Sequence, residues 1–402
     1  MKGGYGAKVI AEKRPHSQMK VLIIGDINII FTYEFIIRVL KRIDGIQADV
    51  LNFAPLQEKN RARDEHLRGL GCRIDYQPAY HILKKSRLLY PIIRIAEAGR
   101  YLKARKYDVV NVHFPGVDSW IVPHIIRGGT RLVTSIYGSD LLRASKRTFR
   151  VLKSLFKKST FITAASRYVE KEISERTEGE FDSKIRIAKY GSTACEEMHR
   201  TLSEISREKS KATFGIPAEK ISVLCGYNAS EAQRHLEIID ECKKLPDEYR
   251  ERIHLVFHCS YGGNAEYIRR LQRRLREANM PYTLTEEYMR GERLAQFRKA
   301  ADIFVNIQPT DVLSASMIEE LEAGAICIAG SWLNYPDLDE YGAKMVRIKD
   351  LSSLHKQLSD ILSHLDQFRS EAEKNRGVWS ILSWEKDFEK WKDMICGGTD
   401  PA

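Results

Sequence analysis

The chemistry that this sequence suggests most directly is the binding of an anion at Ser314-Ala315-Ser316, where a predicted loop passes into a predicted helix. The free backbone N–H groups and the dipole of a helix start attract phosphate groups, although serine there is also simply a good N-cap. Arg234 could supply a fixed positive charge to the same anion, with His235 beside it, unless both lie on a solvated helix face. Such fixed donors would stabilise the negative charge that develops on a departing phosphate.

A second group of candidates follows the first apolar run of the chain, Lys20–Gly25. Gly25 would let the backbone approach a ligand closely, Asp26 could act as a general base toward an acceptor hydroxyl, and Asn28 lies in the same turn. His113 ends a later apolar run that we expect to face the same site. The alternatives remain open, because an aspartate after a strand is often a turn residue and a lone histidine at a strand end is often packed.

Short apolar runs alternate with stretches of helical periodicity, and these elements must position the candidate residues. The predicted strands are Lys20–Gly25, Ala48–Phe53, Tyr107–His113, Arg131–Ile136, Thr160–Ala165, Ile185–Ala188, Ile221–Gly226, His254–His258, Tyr282–Leu284, Asp302–Ile307 and Ile326–Ala329. The helices predicted between them include Phe31–Arg42, Glu231–Lys244, Ala265–Ala278, Leu294–Ala301 and Ala315–Ala323. This alternation predicts parallel sheets with right-handed crossovers, in which ligands bind at the carboxyl ends of the strands.

The length of 402 residues exceeds what one hydrophobic core usually supports. We therefore predict an α/β fold of two doubly wound parallel-sheet domains facing across a cleft. The predicted parts are a flexible extension over 1–18, a first domain over 19–195, a linker over 196–212, a second domain over 213–375 and a terminal helix over 376–396 that crosses back to the first domain. No apolar run is long enough to predict a membrane-spanning helix.

Positive charge is concentrated in the first half of the chain, because residues 1–200 carry a net charge of +16 and residues 201–402 one of −5. The predicted amphipathic helix within Leu141–Thr160 contains no acidic residue, and the basic segment His81–Lys106 contains a single one. An ordinary surface helix whose apolar side meets the core would look the same, but the lack of acids favours contact with anionic lipid, where each basic residue contributes about 1 kcal/mol. The basic residues assigned to this membrane surface are Lys84, Lys85, Arg87, Arg143, Lys146, Arg147, Arg150, Lys153 and Lys157.

The segment Asp302–Ser331 resembles the signature of the family four retaining glycosyltransferases, in which a strand leads to a Glu-x7-Glu motif and then to a closing strand. Asp311 and Glu319 stand at the two acidic positions, with aspartate in place of the first glutamate. The resemblance implies a GT-B fold, with Glu319 holding the donor ribose and Asp311 accepting hydrogen bonds from sugar hydroxyls as a catalytic residue. We expect the neighbouring Glu320 and Glu322 to be exposed.

Further landmarks of that family follow in the same order along most of the chain. The sequence before the predicted linker, which contains Tyr190 and Gly191, is similar to a family segment and implies donor contacts there. The family's t.HG.D loop corresponds to Thr134–Asp140, with Tyr137 in place of the histidine. This similarity implies that Tyr137 and Asp140 face the cleft.

The segment Gly226–His235 departs from family four. It resembles a stretch of the bacterial fucosamine-type transferases, which extend lipid-linked oligosaccharides and invert stereochemistry on a GT-B fold. On this ground Gly226, Asn228, Arg234 and His235 are assigned to donor binding.

The residues and the resemblance together predict a glycosyltransferase that moves a sugar from a nucleotide-sugar, bound by the second domain, to a lipid-linked or polysaccharide acceptor, bound by the first. We expect retention of configuration, because the Asp-x7-Glu layout is intact, and a role in bacterial surface polysaccharide assembly in the cytoplasm, on the inner face of the cell membrane. No metal, no cofactor and no nucleic acid are expected. The alternatives that remain are an inverting transferase of lipid-linked oligosaccharides and a basic nucleic-acid-binding protein without catalysis. A sugar-nucleotide epimerase on the same two-domain fold and a catalytically inactive relative of the transferases also remain open.

Overall fold

The computed structural model describes residues 18–397 apart from residues 53, 77–98, 100, 103 and 104. The chain forms two compact units. The first unit comprises Met1–Ser135, Arg150–Ile162 and Lys392–Ala402, and the second comprises Ile136–Phe149 and Thr163–Trp391. These limits differ from the predicted domain boundaries, which stay a prediction, and residues 1–17 of the predicted extension lie outside the described residues.

The first sheet is parallel and has seven strands among the described residues, in the spatial order β3-β2-β1-β4-β5-β6-β7. In β1 the register runs from Met19 beside Ile46 to Gly25 beside Asn52 of β2. The direction of winding reverses between β1 and β4, so the loops after these two strands diverge and open a crevice at their carboxyl ends. The strand bounds are β1 (Met19–Gly25), β2 (Ile46–Asn52), β3 (Arg73–Tyr76), β4 (Val109–His113), β5 (Arg131–Ile136), β6 (Phe161–Ala164) and β7 (Ile185–Ile187).

The second sheet is parallel and has six strands in the described part of the chain, in the order β10-β9-β8-β11-β12-β13. Its winding reverses between β8 and β11, which pair from Val223 beside Ile303 to Cys225 beside Val305. This reversal opens a second crevice, at the carboxyl ends of β8 and β11. The strand bounds are β8 (Ile221–Cys225), β9 (Ile253–His258), β10 (Tyr282–Thr285), β11 (Ile303–Asn306), β12 (Ile326–Gly330) and β13 (Val346–Ile348).

Helices connect the strands of both sheets. The α-helices are α1 (Ile30–Arg38), α2 (Arg61–Gly69), α3 (Val122–Ile125), α4 (Ser139–Leu142), α5 (Lys146–Lys158), α6 (Arg167–Thr177), α7 (Thr193–Leu202), α8 (Arg207–Thr213), α9 (His235–Cys242), α10 (Asp247–Arg250), α11 (Ala265–Ala278), α12 (Gly291–Lys299), α13 (Ala315–Glu322), α14 (Pro336–Tyr341), α15 (Leu354–Ser363), α16 (Leu365–Glu373) and α17 (Phe388–Cys396). Short 3-10 helices lie at Leu40–Arg42, Glu58–Asn60, Val117–Ile121, Asp182–Lys184, Glu231–Gln233, Leu351–Ser353 and Val378–Leu382. None of the described helices is long and apolar enough to cross a membrane.

The apolar runs of the second sheet are continuous because helices bury both of its faces. Along β8, Val223 and Cys225 pack into one apolar cluster and Leu224 packs into the cluster on the opposite face. Successive strand residues point to opposite faces, so a strand buried on both sides has no polar alternation. The polar residues at the strand ends are therefore the ones free to contact a ligand.

The segment over 196–212 is mainly helical and lies in the second unit, as α7 and α8. Helix α7 packs against α12 and α13. Glu196 at its start is buried and accepts a hydrogen bond from the backbone N–H of Trp384 at 3.1 Å. These contacts make the segment a packed part of the second unit, whereas the sequence predicted a linker between two domains.

Candidate functional site

A ring of three hydrogen bonds lies at the reversal point of the second sheet. Tyr227 follows β8, Gln308 follows β11, and Gln233 ends the 3-10 helix between β8 and α9. The Tyr227 backbone N–H donates to Gln233 Oε1 at 3.2 Å, Gln233 Nε2 donates to Gln308 Oε1 at 3.2 Å, and Gln308 Nε2 donates to the Tyr227 hydroxyl at 3.0 Å. The ring joins the two loops of the crevice with neutral groups only.

Arg234 brings a positive charge to this crevice. Its backbone is left-handed, with φ at 58°, which costs a non-glycine residue on the order of 1–3 kcal/mol. The half-buried guanidinium lies 5.7 Å from the ring centroid of Trp332, and Trp332 Nε1 donates to the Gln308 carbonyl at 2.9 Å. The guanidinium makes no hydrogen bond or ion pair within the described residues, so its N–H groups are available to an anion. Its role as a donor ligand stays a prediction.

Gly226 and Asn228 shape the loop that carries Arg234. Gly226 has a φ of 65°, and a Cβ there would lie 2.7 Å from Gln233 Oε1, so the hydrogen-bonded ring itself requires glycine. Asn228 Oδ1 accepts the backbone N–H of Ser230 at 2.9 Å in a local turn. Both residues therefore have a structural reason to be present, and their donor contacts stay a prediction.

His235 lies beneath the loop that carries Arg234, because its side chain is fully buried, and its role in donor binding stays a prediction. Its Nδ1 lies 3.0 Å from the Tyr267 hydroxyl, and its ring packs on Phe257. Burial lowers the pKa of His235 to about 4, so the imidazole is neutral. His235 anchors the start of α9 to the core beneath Arg234.

Asp311 is the centre of a buried network in the loop after β11. Its Oδ2 accepts the Tyr335 hydroxyl at 2.6 Å, Asn306 Nδ2 at 3.0 Å and the Ser314 hydroxyl at 3.1 Å, while Oδ1 accepts the Val312 N–H at 2.9 Å. Burial raises the pKa of Asp311, and these hydrogen bonds oppose the rise. Since protein donors occupy most of its lone pairs, Asp311 holds the loop in place, and direct contact with sugar hydroxyls stays a prediction.

The start of α13 combines an N-cap with open backbone donors. Ser314 is the N-cap and its hydroxyl accepts the Met317 N–H at 3.4 Å. The backbone N–H groups of Ala315 and Ser316 belong to the first turn, where a helix has no internal acceptors for them. The Ser316 hydroxyl is turned elsewhere and accepts from Arg298 Nη2 at 3.1 Å. Both interpretations of this segment, N-cap and anion site, therefore remain compatible with the geometry.

Glu319 is buried in an ion pair that the sequence analysis did not foresee. Arg298 on α12 places Nε at 2.9 Å and Nη2 at 2.8 Å from Glu319 Oε2, and Nη1 at 3.1 Å from Glu320 Oε1. The expectation that Glu320 and Glu322 are exposed is wrong, because both are buried. Glu322 Oε1 lies 2.7 Å from His199 Nδ1. The ribose role of Glu319 stays a prediction.

The wild type is expected to lose stability as the pH rises, and replacing Glu320 with glutamine is expected to make this loss smaller. Burial raises the pKa of Glu320 from 4.5 to about 8, with Arg298 and Arg207 lowering it and Glu319 raising it. Between these values the folded state binds more protons than the unfolded state, so the free energy of unfolding falls as the pH rises. Between pH 5 and 8, the free energy of unfolding measured with urea should therefore fall less steeply in Glu320→Gln than in the wild type. The two slopes should differ by at most about 1.4 kcal/mol per pH unit. Equal slopes in both proteins would contradict this.

The loop over 137–140 is held by Asp140. Its carboxylate accepts the backbone N–H of Tyr137 at 3.1 Å and that of Gly138 at 2.7 Å. Burial raises the pKa of Asp140 to about 7 despite these hydrogen bonds. Asp140 is thus a loop anchor with little surface of its own, and a Cβ on Gly138 would lie 2.7 Å from the Val312 side chain. Within the second unit this loop therefore touches the Asp311 loop.

Tyr190 and Gly191 take part in an aromatic cluster. The Tyr190 ring stacks on Tyr137 at a centroid distance of 4.3 Å and packs against Trp384 and Trp391. A Cβ on Gly191 would lie 2.4 Å from the Trp384 ring, so glycine is required for this packing. Donor contacts of Tyr190 and Gly191 stay a prediction, and the observed contacts account for both residues structurally.

The candidates of the first unit lie at the reversal point of the first sheet. Asp26 Oδ1 accepts the N–H of Asn28 at 2.9 Å and its Nδ2 at 2.7 Å, which is a turn formed by an aspartate side chain. His113 is buried against the ring of Phe35, and burial lowers its pKa to about 3. A Cβ on Gly25 would lie 3.0 Å from His113 Cβ, so Gly25 makes room for the histidine. These observations favour structural roles for Gly25 and His113, and catalysis by Asp26 or His113 stays a prediction.

The basic helix α5 turns its apolar side inward. Leu152, Leu155 and Phe156 are buried, so this side meets the core and is not available to lipid. The exposed residues of the helix are Lys146, Arg147, Arg150, Lys157 and Lys158, and Lys153 is half-buried. Arg143 precedes the helix and donates to the Thr310 hydroxyl at 3.1 Å. Lys84, Lys85 and Arg87 lie outside the described residues.

Sequence reasoning missed the residues that fix the crevice by contacts across long sequence distances: Tyr227, Gln233, Arg298, Gln308, Trp332 and Tyr335. Residues that belong to no recognisable motif carry no local signal for such contacts. Among the described residues no group of three or more His, Cys, Asp or Glu side chains could hold a metal ion, and the expectation of metal independence stays a prediction.

One protein family matches the first part of the chain. Residues 30–188 match Glycosyltransferase Family 4. The match ends before the second sheet, so it does not test the residues assigned to the crevice at β8 and β11. No curated protein matches the sequence.

Solved structures share the fold over almost the whole chain. HepE from Anabaena in complex with UDP-glucose has a TM-score of 0.71 at 14% identity, covering 94% of this chain and 100% of that one. A glycosyltransferase from Rickettsia africae has a TM-score of 0.69 at 12% identity, with 95% and 100% covered. UDP-GlcNAc 2-epimerase from Neisseria meningitidis has a TM-score of 0.58 at 13% identity, with 94% and 100% covered. At these identities the likeness establishes the fold and confirms the predicted pair of parallel-sheet domains.

Proposed function

We propose that this chain, a glycosyltransferase with the GT-B fold whose residues 30–188 match Glycosyltransferase Family 4, transfers a sugar from a nucleoside-diphosphate donor to a lipid-linked or polysaccharide acceptor. The observation that carries the proposal is the half-buried Arg234 guanidinium, which has no ion-pair partner among the described residues at the reversal point of the second sheet. HepE was solved with UDP-glucose on this fold, which supports a UDP-sugar as the donor.

The proposed chemistry depends on stabilising the departing nucleotide. The C1–O bond to the diphosphate breaks while an acceptor oxygen bonds to C1, and negative charge grows on the phosphate. Arg234 and the backbone N–H groups at the start of α13 would stabilise that charge. For retention, the acceptor approaches the face from which the phosphate leaves, and its proton passes to a departing phosphate oxygen. No protein nucleophile is needed for this route.

The proposed setting is the inner face of a bacterial cell membrane, where lipid-linked acceptors for surface polysaccharides are extended. Support comes from α5, whose Lys146, Arg147 and Arg150 are exposed and make no ion pair within the described residues. Because the apolar side of α5 is buried, its contact with a membrane would be electrostatic, without insertion of the helix.

Reversing three of these charges, in Lys146→Glu/Arg147→Glu/Arg150→Glu, is expected to weaken binding to vesicles of anionic lipid about 100-fold or more, since each basic residue near the surface contributes about 1 kcal/mol. Cosedimentation at low and high salt measures this. The matched control reverses Arg269, Arg273 and Arg276, which are exposed on α11. Equal losses in both variants would point to net charge alone and against a membrane face at α5.

The function is tested by incubating the full chain with UDP-glucose, UDP-GlcNAc or GDP-mannose and vesicles that contain lipid-linked acceptors. Sugar transfer with nucleotide release in the wild type, and its loss in Arg234→Ala, is the expected result. The anomeric coupling constant of the product reports retention or inversion. Conversion of the donor to its epimer without an acceptor would support the activity of the Neisseria enzyme instead. Tight nucleic acid binding without any nucleotide-sugar binding would contradict the proposal.

A further inference from the structure

Arg298 is the centre of a buried cluster that joins α12 to α13. Its side chain is 4% exposed and makes four contacts: two to Glu319 Oε2, at 2.9 and 2.8 Å, one to Glu320 Oε1 at 3.1 Å and one to the Ser316 hydroxyl at 3.1 Å. The planar guanidinium presents its N–H groups to these acceptors in fixed directions, whereas a lysine ammonium is a point charge on a flexible side chain. The cluster therefore fixes the plane and orientation of the Glu319 carboxylate.

The two glutamates of the cluster differ in their access to solvent. The Glu320 side chain is 0% exposed, and its Oε2 is buried without a partner. The Glu319 side chain is 6% exposed, and its Oε1 makes no hydrogen bond or ion pair in the part of the chain that the structure describes. Arg298 thus occupies one oxygen of Glu319 and leaves the other free to accept hydrogen bonds.

The place of Glu319 on α13 suits a ribose. Glu319 lies five residues after the N-cap Ser314, which is about 7 Å along the helix axis. A nucleoside diphosphate whose phosphates meet the start of α13 would carry its ribose alongside the second turn. A carboxylate oxygen there can accept from the ribose hydroxyls through charge-assisted hydrogen bonds, which are stronger than neutral ones.

We propose that Arg298 is a positioning residue that holds Oε2 of Glu319 and thereby presents Oε1 to the donor ribose. This inference rests on the proposed function, because it needs a nucleotide donor at α13. It adds that the site distinguishes a ribonucleotide from its 2′-deoxy counterpart through the orientation of one carboxylate. A cluster that served only to join α12 and α13 would not influence that distinction.

The test compares UDP with 2′-deoxy-UDP by calorimetry, or GDP with 2′-deoxy-GDP if the wild type binds GDP instead. In the wild type, loss of the 2′-hydroxyl is expected to raise the dissociation constant about 10-fold or more, the effect of one hydrogen bond to a charged group. In Arg298→Lys the affinity for the ribonucleotide should fall about 10-fold and the ratio between the two nucleotides should approach 1. Binding of inorganic pyrophosphate should be unchanged in this variant.

Glu320→Gln is the matched control, because it alters the same cluster but leaves both contacts to Glu319, and it should keep the wild-type ratio. If Arg298→Lys does not fold, Arg298→Lys/Glu320→Gln carries the same test, because glutamine removes the second acidic group from the cluster. A folded variant that keeps the wild-type ratio, or failure of both variants to fold, assigns Arg298 to structure alone and overturns the proposal. A wild type that binds no nucleoside diphosphate refutes the proposed function itself, which is a distinct outcome.

Discussion

Replacing Arg234 with alanine is expected to raise the dissociation constant of the nucleoside diphosphate about 10- to 100-fold, because a hydrogen bond to a charged group contributes about 1.5–3 kcal/mol. The guanidinium is half-buried, stacks on Trp332 and has no ion pair among the described residues. Removing it takes a positive charge from the crevice where β8 and β11 end. Calorimetry with UDP measures the effect directly, and the rate of sugar transfer should fall with it.

Two further variants separate binding from folding in this experiment. Arg234→Gly should lose affinity equally but remain as stable as the wild type, because glycine adopts the observed φ of 58° without strain. Arg269→Ala removes an exposed arginine on α11 and should leave affinity unchanged. Unaltered UDP affinity in both Arg234 variants would remove this residue from the donor site.

Replacing Asp302 with alanine is expected to lower the free energy of unfolding by about 3–5 kcal/mol, the usual effect of removing one partner from a buried ion pair. Asp302 is 0% exposed. Its Oδ1 lies 3.0 Å from Arg369 Nη2 and its Oδ2 lies 2.5 Å from Lys211 Nζ, which is itself buried. Burial by itself raises the pKa of Asp302. The nearby positive charges of Arg207 and Lys211 together have a larger, opposite effect, so the pKa lies below its ordinary value and the carboxylate is charged.

Chemical denaturation of Asp302→Ala and Asp302→Asn measures this loss. Asp366→Ala is the control, because Asp366 also faces Arg369, at 4.0 Å, but is fully exposed, and such surface pairs contribute little. If the free energy of unfolding of Asp302→Ala falls by less than about 1 kcal/mol, the prediction is wrong, and water solvates the neighbouring cations well in the absence of Asp302.

The strands that carry the crevices could be predicted from the sequence because they are buried on both faces. The prediction Arg131–Ile136 coincides with β5, and most other predicted strands agree to within one or two residues. Two strands at sheet edges, β3 (Arg73–Tyr76) and β13 (Val346–Ile348), were not predicted. Both strands are short and contain charged residues, so they give no continuous apolar signal, whereas the other two edge strands, β7 and β10, were predicted.

The position of the candidate site could be predicted more easily than its contacts. Residues after parallel strands meet at one edge of a sheet, so the sequence predicts that Arg234 and Asp311, which follow two such strands, lie near one crevice. Their partners could not be predicted, because Trp332, Gln308 and Tyr335 come from other loops. The burial of His235 and Glu320 could not be predicted either, because both stand beside other polar residues in the sequence, yet the packing of α9 and α13 buries both.

The central claim is that the second unit binds a nucleoside diphosphate at the crevice of β8 and β11. The most direct measurement is a calorimetric titration of the full chain with UDP, GDP and dTDP in the absence of metal. The account predicts saturable 1:1 binding of one of these nucleotides, weakened by Arg234→Ala and unaffected by Arg269→Ala. No binding of any of the three, or binding indifferent to Arg234, would contradict it.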